Sequence, residues 1–191
     1  SNAVILYTDA ISNMLIERYG FQDKQVFCGR NSIDQEEIKS AIKFWTENPF
    51  DLIIFQEKYN LSPSSTIIFV SRLEPDNNVS LLLHAQKKLL EIKPECKLII
   101  VGTGSDEYAL KVLAKKLCIE KSIIFTGAIY NEVELAPFML SSTVYCYPQN
   151  IGLSILHAFG YGLPVITSDD ISSHNPEIEA FVDNKNGLLF K

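Results

Sequence analysis

The chain lacks any apolar run long enough to span a bilayer, and its 191 residues show no cleavable leader pattern. It also lacks a basic excess. Seventeen Lys and Arg stand against 23 Asp and Glu, giving a net charge of −6, so a general nucleic-acid binder is excluded. Its four cysteines, Cys28, Cys96, Cys118 and Cys146, form no CxxC pair and no metal-ligand spacing. They read as buried free thiols of a reducing compartment. A cytoplasmic location is therefore expected, with a peripheral place at the inner face of a membrane left open. Internal repeats and low-complexity stretches are missing too. What remains is an ordinary globular composition, 47% apolar and 21% charged, able to bury a real core.

Strand and helix patterns alternate along this composition. Val4–Thr8 and Gln25–Cys28 read as strands around a helix over Asp9–Tyr19, with Asp9 as its N-cap and Gly20 as its stop. Asp34 opens a Glu- and Lys-rich helix to about Thr46, and Phe50–Tyr59 suggests a further helical turn or two. From Thr66 the pattern is regular. Strands are expected over Thr66–Ser71, Lys97–Val101, Ile123–Phe125, Thr143–Tyr147, Pro164–Thr167 and Gly187–Phe190. Helices are expected between them, over Asn78–Ile92, Asp106–Leu117, Glu132–Ser141, Gly152–Tyr161 and Asn175–Val182. Pro137 implies a kink or break in the third of these. Such alternation predicts an α/β fold, a Rossmann-like doubly wound parallel sheet covered on both faces.

Three loops that follow strands could carry chemistry. In Ser71-Arg72-Leu73 the guanidinium would point into the crevice at the strand carboxyl ends, where its fork suits a diphosphate. The competing reading is a surface Arg paired with Glu74 or Asp76. Val101-Gly102-Thr103-Gly104 is half a dinucleotide fingerprint, with Glu107 in place of the third glycine, and a lone GxG often marks only a tight turn. In Pro148-Gln149-Asn150-Ile151-Gly152-Leu153-Ser154, Asn150 suits an N-cap and Gly152 permits close backbone approach to a ligand. His157, on the face of Leu153 and Gly160, either reaches the crevice mouth or is a satisfied core histidine. His84 reads as solvated. His174 precedes Asn175-Pro176-Glu177, where Glu177 is placed to cap a helix or to bind a ligand hydroxyl. Free N–H groups at helix starts suit phosphate, and several such loops on one edge suggest a nucleotide-type site.

Taken in order, these segments resemble the C-terminal, donor-binding half of a retaining GT-B glycosyltransferase, in the family 4 group (glycosyl transferases group 1). The resemblance runs from Ser64 to Lys191. It rests on Ser71-Arg72-Leu73 with Asn77-Asn78, on LIIVGTG, and on Ile123-Ile124-Phe125-Thr126-Gly127. It rests further on Gln149 to Ala158, on Gly162-Leu163-Pro164-Val165-Ile166, and on Pro176-Glu177 with Asn186-Gly187-Leu188-Leu189. Ser1-Asn2-Ala3 reads as a cloning scar at 1–3, and the resemblance implies three further segments: the end of an acceptor-binding domain at 4–34, a helical linker at 35–63, and a nucleotide-sugar domain at 64–191. It also implies that the chain is a piece of a longer protein and does not catalyse transfer alone.

By the same resemblance, the donor site comprises Arg72, Asn77, Gly102, Gly104, Gly127, Ile129, Asn150, Ile151, Gly152, Leu153, Ser154 and Glu177. Gln149 and His157 stand where the family has two glutamates, near the donor sugar and on the ribose hydroxyls, and are the catalytic candidates. Asn77 stands where the family has a lysine. Gln149 keeps a carbonyl acceptor without the charge, and neutral His157 can bond a hydroxyl in either direction. The implied substrate is a nucleotide diphosphate sugar, with no cofactor and no metal. The implied acceptor is a sugar or lipid-linked molecule held by the other domain, in surface-polysaccharide or glycoconjugate synthesis. A binding module of the same fold that has lost catalysis is the alternative. A nicotinamide-dependent dehydrogenase would need an acidic residue after the GxG helix, where Phe125-Thr126-Gly127 stands.

Overall fold

The computed structural model describes residues 3–191. Ser1 and Asn2, part of the expected cloning scar, lie outside them. The chain begins with strand β1 (Val4–Leu6), helix α1 (Asp9–Tyr19) and strand β2 (Val26–Cys28), and β1 pairs with β2 in a small parallel sheet of their own. Thr8, not Asp9, caps α1: its hydroxyl accepts from the Ile11 amide at 3.2 Å, because Thr8 is the last extended residue. Gly20 closes the helix in the left-handed region, at φ 70°.

Helices α2 (Gln35–Glu47) and α3 (Pro49–Tyr59) follow, the first capped by Asp34. The second is a full helix of three turns, with Pro49 at its first position, where the missing N–H costs nothing. Then come β3 (Thr66–Val70), α4 (Val79–Ile92), β4 (Lys97–Val101), α5 (Glu107–Lys116), β5 (Ile123–Gly127) and α6 (Glu132–Leu140). The chain finishes with β6 (Val144–Cys146), α7 (Ser154–Gly160), β7 (Val165–Ser168), a 3-10 turn over Pro176–Ala180 and β8 (Gly187–Phe190). That last turn replaces the α-helix expected over Asn175–Val182.

Strands β3 to β8 form one parallel sheet in the order β5-β4-β3-β6-β7-β8. After their first residues, Thr66 and Lys97, β3 and β4 are apolar, as burial on two faces demands; Leu98, Ile99, Ile100 and Val101 of β4 are all buried. The order runs outward from β3 to β5 and, restarting at β6, outward to β8. The reversal lies between β3 and β6. In open α/β sheets that reversal opens a crevice at the carboxyl ends of the strands.

Helix α6 is not broken by Pro137. A proline leaves the carbonyl four residues earlier without a donor, here that of Val133. The indole N–H of Trp45 on α2 donates to it at 2.7 Å. Trp45 also stacks edge-on with Phe55, which contacts Phe138 of α6, so α2 and α3 are held to α6 by an aromatic cluster. The sheet is covered less fully than expected. On the side carrying α4, a groove of about 520 Å³ remains open, lined by Ile67, Cys146, Ile166 and Phe190 with Leu82 and Leu89. Two cysteines depart from expectation, since Cys28 and Cys118 are exposed; all four are unpaired.

Candidate functional site

The loops after β3 and β4 are joined by backbone hydrogen bonds: Ser71 donates to Val101 O, Leu73 to Thr103 O, and Asp106 to Leu73 O. This zipper explains the two glycines. A Cβ on Gly102 would sit 1.8 Å from Ser71 O, and one on Gly104 would sit 2.3 Å from Leu73 O. Gly102 also has φ 138°, which favours glycine. The GxG element therefore brings backbone against backbone, and its effect is to set the path of the Arg72 loop.

Arg72 is exposed and forms no ion pair among the described residues, so the expected alternative of pairing with Glu74 or Asp76 is not realised. Glu74 instead accepts from the hydroxyl of Ser105, at 2.6 Å. Arg72 lines a cavity of about 190 Å³ at the ends of β3, β4 and β5, together with Ser71, Gly102, Thr103, Ile129 and Tyr130. Gly127, at the end of β5, accepts from Gly102 N at 2.8 Å and has φ 78°.

Asn77 turns inward. Its amide donates to Arg72 O at 2.7 Å, and its carbonyl accepts from the Tyr147 hydroxyl at 2.9 Å. The side chain is buried at 6% exposure, so it is a brace for the loop and not a ligand-facing group. Burial raises the Tyr147 phenol pKa, while the Ser71 hydrogen bond and the nearby Arg72 charge pull it down. Arg72 and the end of β6 therefore share one neighbourhood.

The loop after β6 differs from expectation in detail. Asn150 is not an N-cap. It takes a left-handed conformation, φ 63°, and both its carbonyls accept from Asn175 Nδ2. The Ile151 amide donates to His174 Nδ1 at 3.2 Å and its side chain is fully buried, so Ile151 anchors the loop and offers a ligand nothing. Gly152 admits Asn175, whose side chain would lie 3.3 Å from an added Cβ. His174 holds its tautomer by facing Ser168 O with Nε2 at 3.0 Å. The amides of Gly152, Leu153 and Ser154 have no acceptor among the described residues. The half-buried Gln149 side chain likewise has no partner among them.

His157 is neither free nor a core residue. Its Nε2 lies 2.9 Å from Glu132 Oε1, an oxygen that also accepts from the Tyr161 hydroxyl. Burial raises the Glu132 pKa, but the hydrogen bonds from His157 and Tyr161 outweigh it and hold the carboxyl below its ordinary value. Burial and the facing carboxylate push the Tyr161 phenol well up. His157 lines a cavity of about 310 Å³ with Asp34, Glu37, Glu132, Leu153 and Ser154. Between this cavity and that of Arg72 lies a third, of about 500 Å³. It shares Tyr130 with the Arg72 cavity, and Glu37 and Glu132 with the His157 cavity. Three adjoining cavities thus run from Arg72 to His157.

Glu177 is separate. It accepts from Asn31 and lines a cavity of about 490 Å³ with Tyr7, Arg30 and Leu156. Beside it, Glu179 accepts from the Asp9 and Ala10 amides at the start of α1, both at 3.1 Å. The structure therefore brings together Arg72, Gly102, Ile129, Leu153, Ser154 and His157, and it leaves Asn77, Gly104, Asn150 and Ile151 as supports. Sequence reasoning missed Glu132 and the bracing role of Asn175. The H-x-P-E segment containing His174 was the one available signal for the brace behind the β6 loop.

The model of the family described as "Glycosyl transferases group 1" matches residues 51–191. The chain belongs to that family. It is similar to a Haemophilus influenzae protein named an uncharacterized glycosyltransferase, 30% identical over 159 residues, covering 81% of this chain and 43% of that protein. It also resembles a GDP-mannose-dependent alpha-(1-6)-phosphatidylinositol monomannoside mannosyltransferase of Mycolicibacterium smegmatis, 28% identical, over 70% of this chain and 36% of that one. The chain thus spans less than half the length of these curated relatives.

Among solved structures, the pneumococcal O-GlcNAc transferase GtfA in complex with UDP and GlcNAc matches 99% of this chain and 34% of its own, with TM-score 0.70 and 21% identity. Anabaena HepE in complex with UDP and glucose matches 100% and 50%, with TM-score 0.69 and 18% identity. At these identities the likeness shows the fold, the doubly wound α/β sheet of GT-B glycosyltransferases. No helix among the described residues of this group 1 glycosyltransferase domain is long and apolar enough to cross a membrane.

Proposed function

We propose that this glycosyl transferases group 1 domain is the donor-binding half of a retaining glycosyltransferase that uses a nucleotide diphosphate sugar. One observation carries the reading: the three adjoining cavities begin at an unpaired guanidinium, beside the strand-order reversal, and end at His157. The lining changes character along the way. Arg72 is the cation of the first cavity, whereas the others are lined by Glu36, Glu37, Asp34 and Glu132. An anionic diphosphate belongs at the Arg72 end, and hydroxyl-bearing groups belong toward the carboxylates.

In this reading Arg72 and the unpaired amides of Gly152, Leu153 and Ser154 stabilise the charge that develops on the leaving diphosphate. No metal is required for that step. Tyr130, 95% exposed between two cavities, offers a ring face to the base. Gln149, whose side chain has no partner among the described residues, is assigned the donor-sugar hydroxyl on the resemblance of its segment alone. A sugar or lipid-linked acceptor is held by an acceptor-binding domain outside this chain, and the product is a surface polysaccharide or glycoconjugate.

A second reading is favoured by Asn77: with that side chain turned inward, Arg72 has no second cation beside it in its cavity. This supports a module that binds the nucleotide without transferring the sugar. The full-length protein, supplied with a panel of nucleotide sugars and a lipid-linked acceptor, separates the two. Product retaining the donor's anomeric configuration supports the transferase. Nucleotide binding without transfer across the panel supports the binding module.

A further inference from the structure

Two features near His157 are left unused by the donor reading: the Glu132 carboxylate on α6, and the second ring nitrogen of the histidine. Glu132 Oε1 receives both the Tyr161 hydroxyl and His157 Nε2, the latter at 2.9 Å. An ionised carboxylate only accepts, so the nitrogen facing it must carry a proton. The carboxyl's depressed pKa, set by those same two hydrogen bonds against burial, keeps it ionised at neutral pH. In a neutral ring the other nitrogen, Nδ1, is then a bare acceptor. It has no partner among the described residues, and the ring stands in the wall of the 310 Å³ cavity at 18% side-chain exposure.

We propose that Glu132 is a positioning residue: it fixes the Nε2–H tautomer of His157, so that Nδ1 accepts a hydroxyl proton from the sugar part of a bound nucleotide. The idea rests on the donor reading above and adds direction to it. A neutral histidine without Glu132 could donate or accept; with Glu132 in place it accepts. The chemistry of the cavity agrees. Asp34 and Glu37 line it with Glu132, and carboxylates there can accept from further hydroxyls of the same sugar. The hydroxyl comes from the ribose or from the transferred hexose, and the two are separable by experiment.

The test is ring-nitrogen NMR on the 15N-histidine-labelled chain at pH 8, where three histidines give few signals and His157→Gln assigns the one of interest. The expected result is a protonated Nε2 and an unprotonated Nδ1, whose signal moves when ligand is added. A response to UDP or GDP assigns the ribose; a response only to their glucose conjugates assigns the hexose. In Glu132→Gln the amide can donate or accept, so the tautomers should mix and nucleotide affinity should fall about three- to tenfold. Tyr161→Phe, which leaves the Glu132 acceptor in place, should keep the Nε2–H form.

The wild-type tautomer is read without any variant, so a poorly folding mutant does not remove the test. A protonated Nδ1 in the wild type at pH 8 overturns the proposal. So does an Nδ1 signal that ignores ligand while backbone signals near Arg72 respond, and in that case the donor reading stands. Absence of any response to millimolar nucleotide anywhere in the chain takes down both.

Discussion

The hydroxyl of Tyr147, at the end of β6, donates to the buried carbonyl of Asn77 at 2.9 Å and shares a hydrogen bond with Ser71 Oγ at 3.0 Å. Those contacts tie the loop after β3 to the strand on the other side of the reversal. Asn77 in turn holds the Arg72 carbonyl, so a phenol and an amide jointly set the backbone that carries the guanidinium. Tyr147→Phe keeps the ring and deletes the tie. It leaves Asn77 Oδ1 buried without its donor, a loss of about 1–3 kcal/mol in unfolding free energy. Urea unfolding reads this directly, and an unchanged midpoint would show that the tie is unimportant.

Gly102 is a second sharp test. Alanine there combines a disfavoured φ of 138° with a Cβ only 1.8 Å from Ser71 O. Backbone strain of about 1–3 kcal/mol adds to a comparable overpacking cost. We expect Gly102→Ala to unfold at markedly lower urea, and to lose nucleotide binding through displacement of the Arg72 loop. Gly20→Ala, which meets nothing within 4 Å, carries the strain of its positive φ alone and should cost less.

Glu132 gives a pH dependence of definite sign. Its folded pKa lies below the ordinary 4.5, so its ionised form stabilises the fold at neutral pH. That contribution is present above the unfolded value and disappears as pH falls through the depressed folded value. Melting temperatures of wild type and Glu132→Gln should therefore differ at pH 7 and converge once the pH has fallen through the depressed folded value, below 4.5. A gap that persists unchanged at acid pH would contradict the hydrogen-bonded carboxylate.

The parallel α/β alternation, the positions of β3, β4 and β6 and the loops that follow them were legible because local patterns carry them. The strand order was not, because pairing is set between segments distant in the chain. Apolar runs of five residues, β-branched content and a Gly or Pro stop suffice to mark Thr66–Val70 and Lys97–Val101. The same reading could not foresee that α6 continues through Pro137, because the compensating donor, Trp45, lies 88 residues before the Val133 carbonyl it serves. It took Asn150 for a helix cap, since Asn suits a cap and a left-handed turn equally; the partner that decides, Asn175, is 25 residues on. His157 was left open between crevice and core because its carboxylate partner sits on another helix. Resemblance to a family placed Asn77 and Ile151 at a ligand, whereas burial and hydrogen bonding make them supports. Local chemistry reaches the loops; what braces each loop is set by residues distant in the chain.

The central claim is that Arg72 and the start of α7 meet a diphosphate at the edge of the sheet. Calorimetric titration of the chain with UDP and GDP, in wild type and Arg72→Ala, tests it most directly. One charge-assisted contact contributes about 1.5–3 kcal/mol, so the substitution should weaken binding by about 10- to 150-fold. Apo stability should be unaffected, because the exposed side chain forms no ion pair among the described residues. Binding of either nucleotide with equal affinity to both proteins would contradict the account.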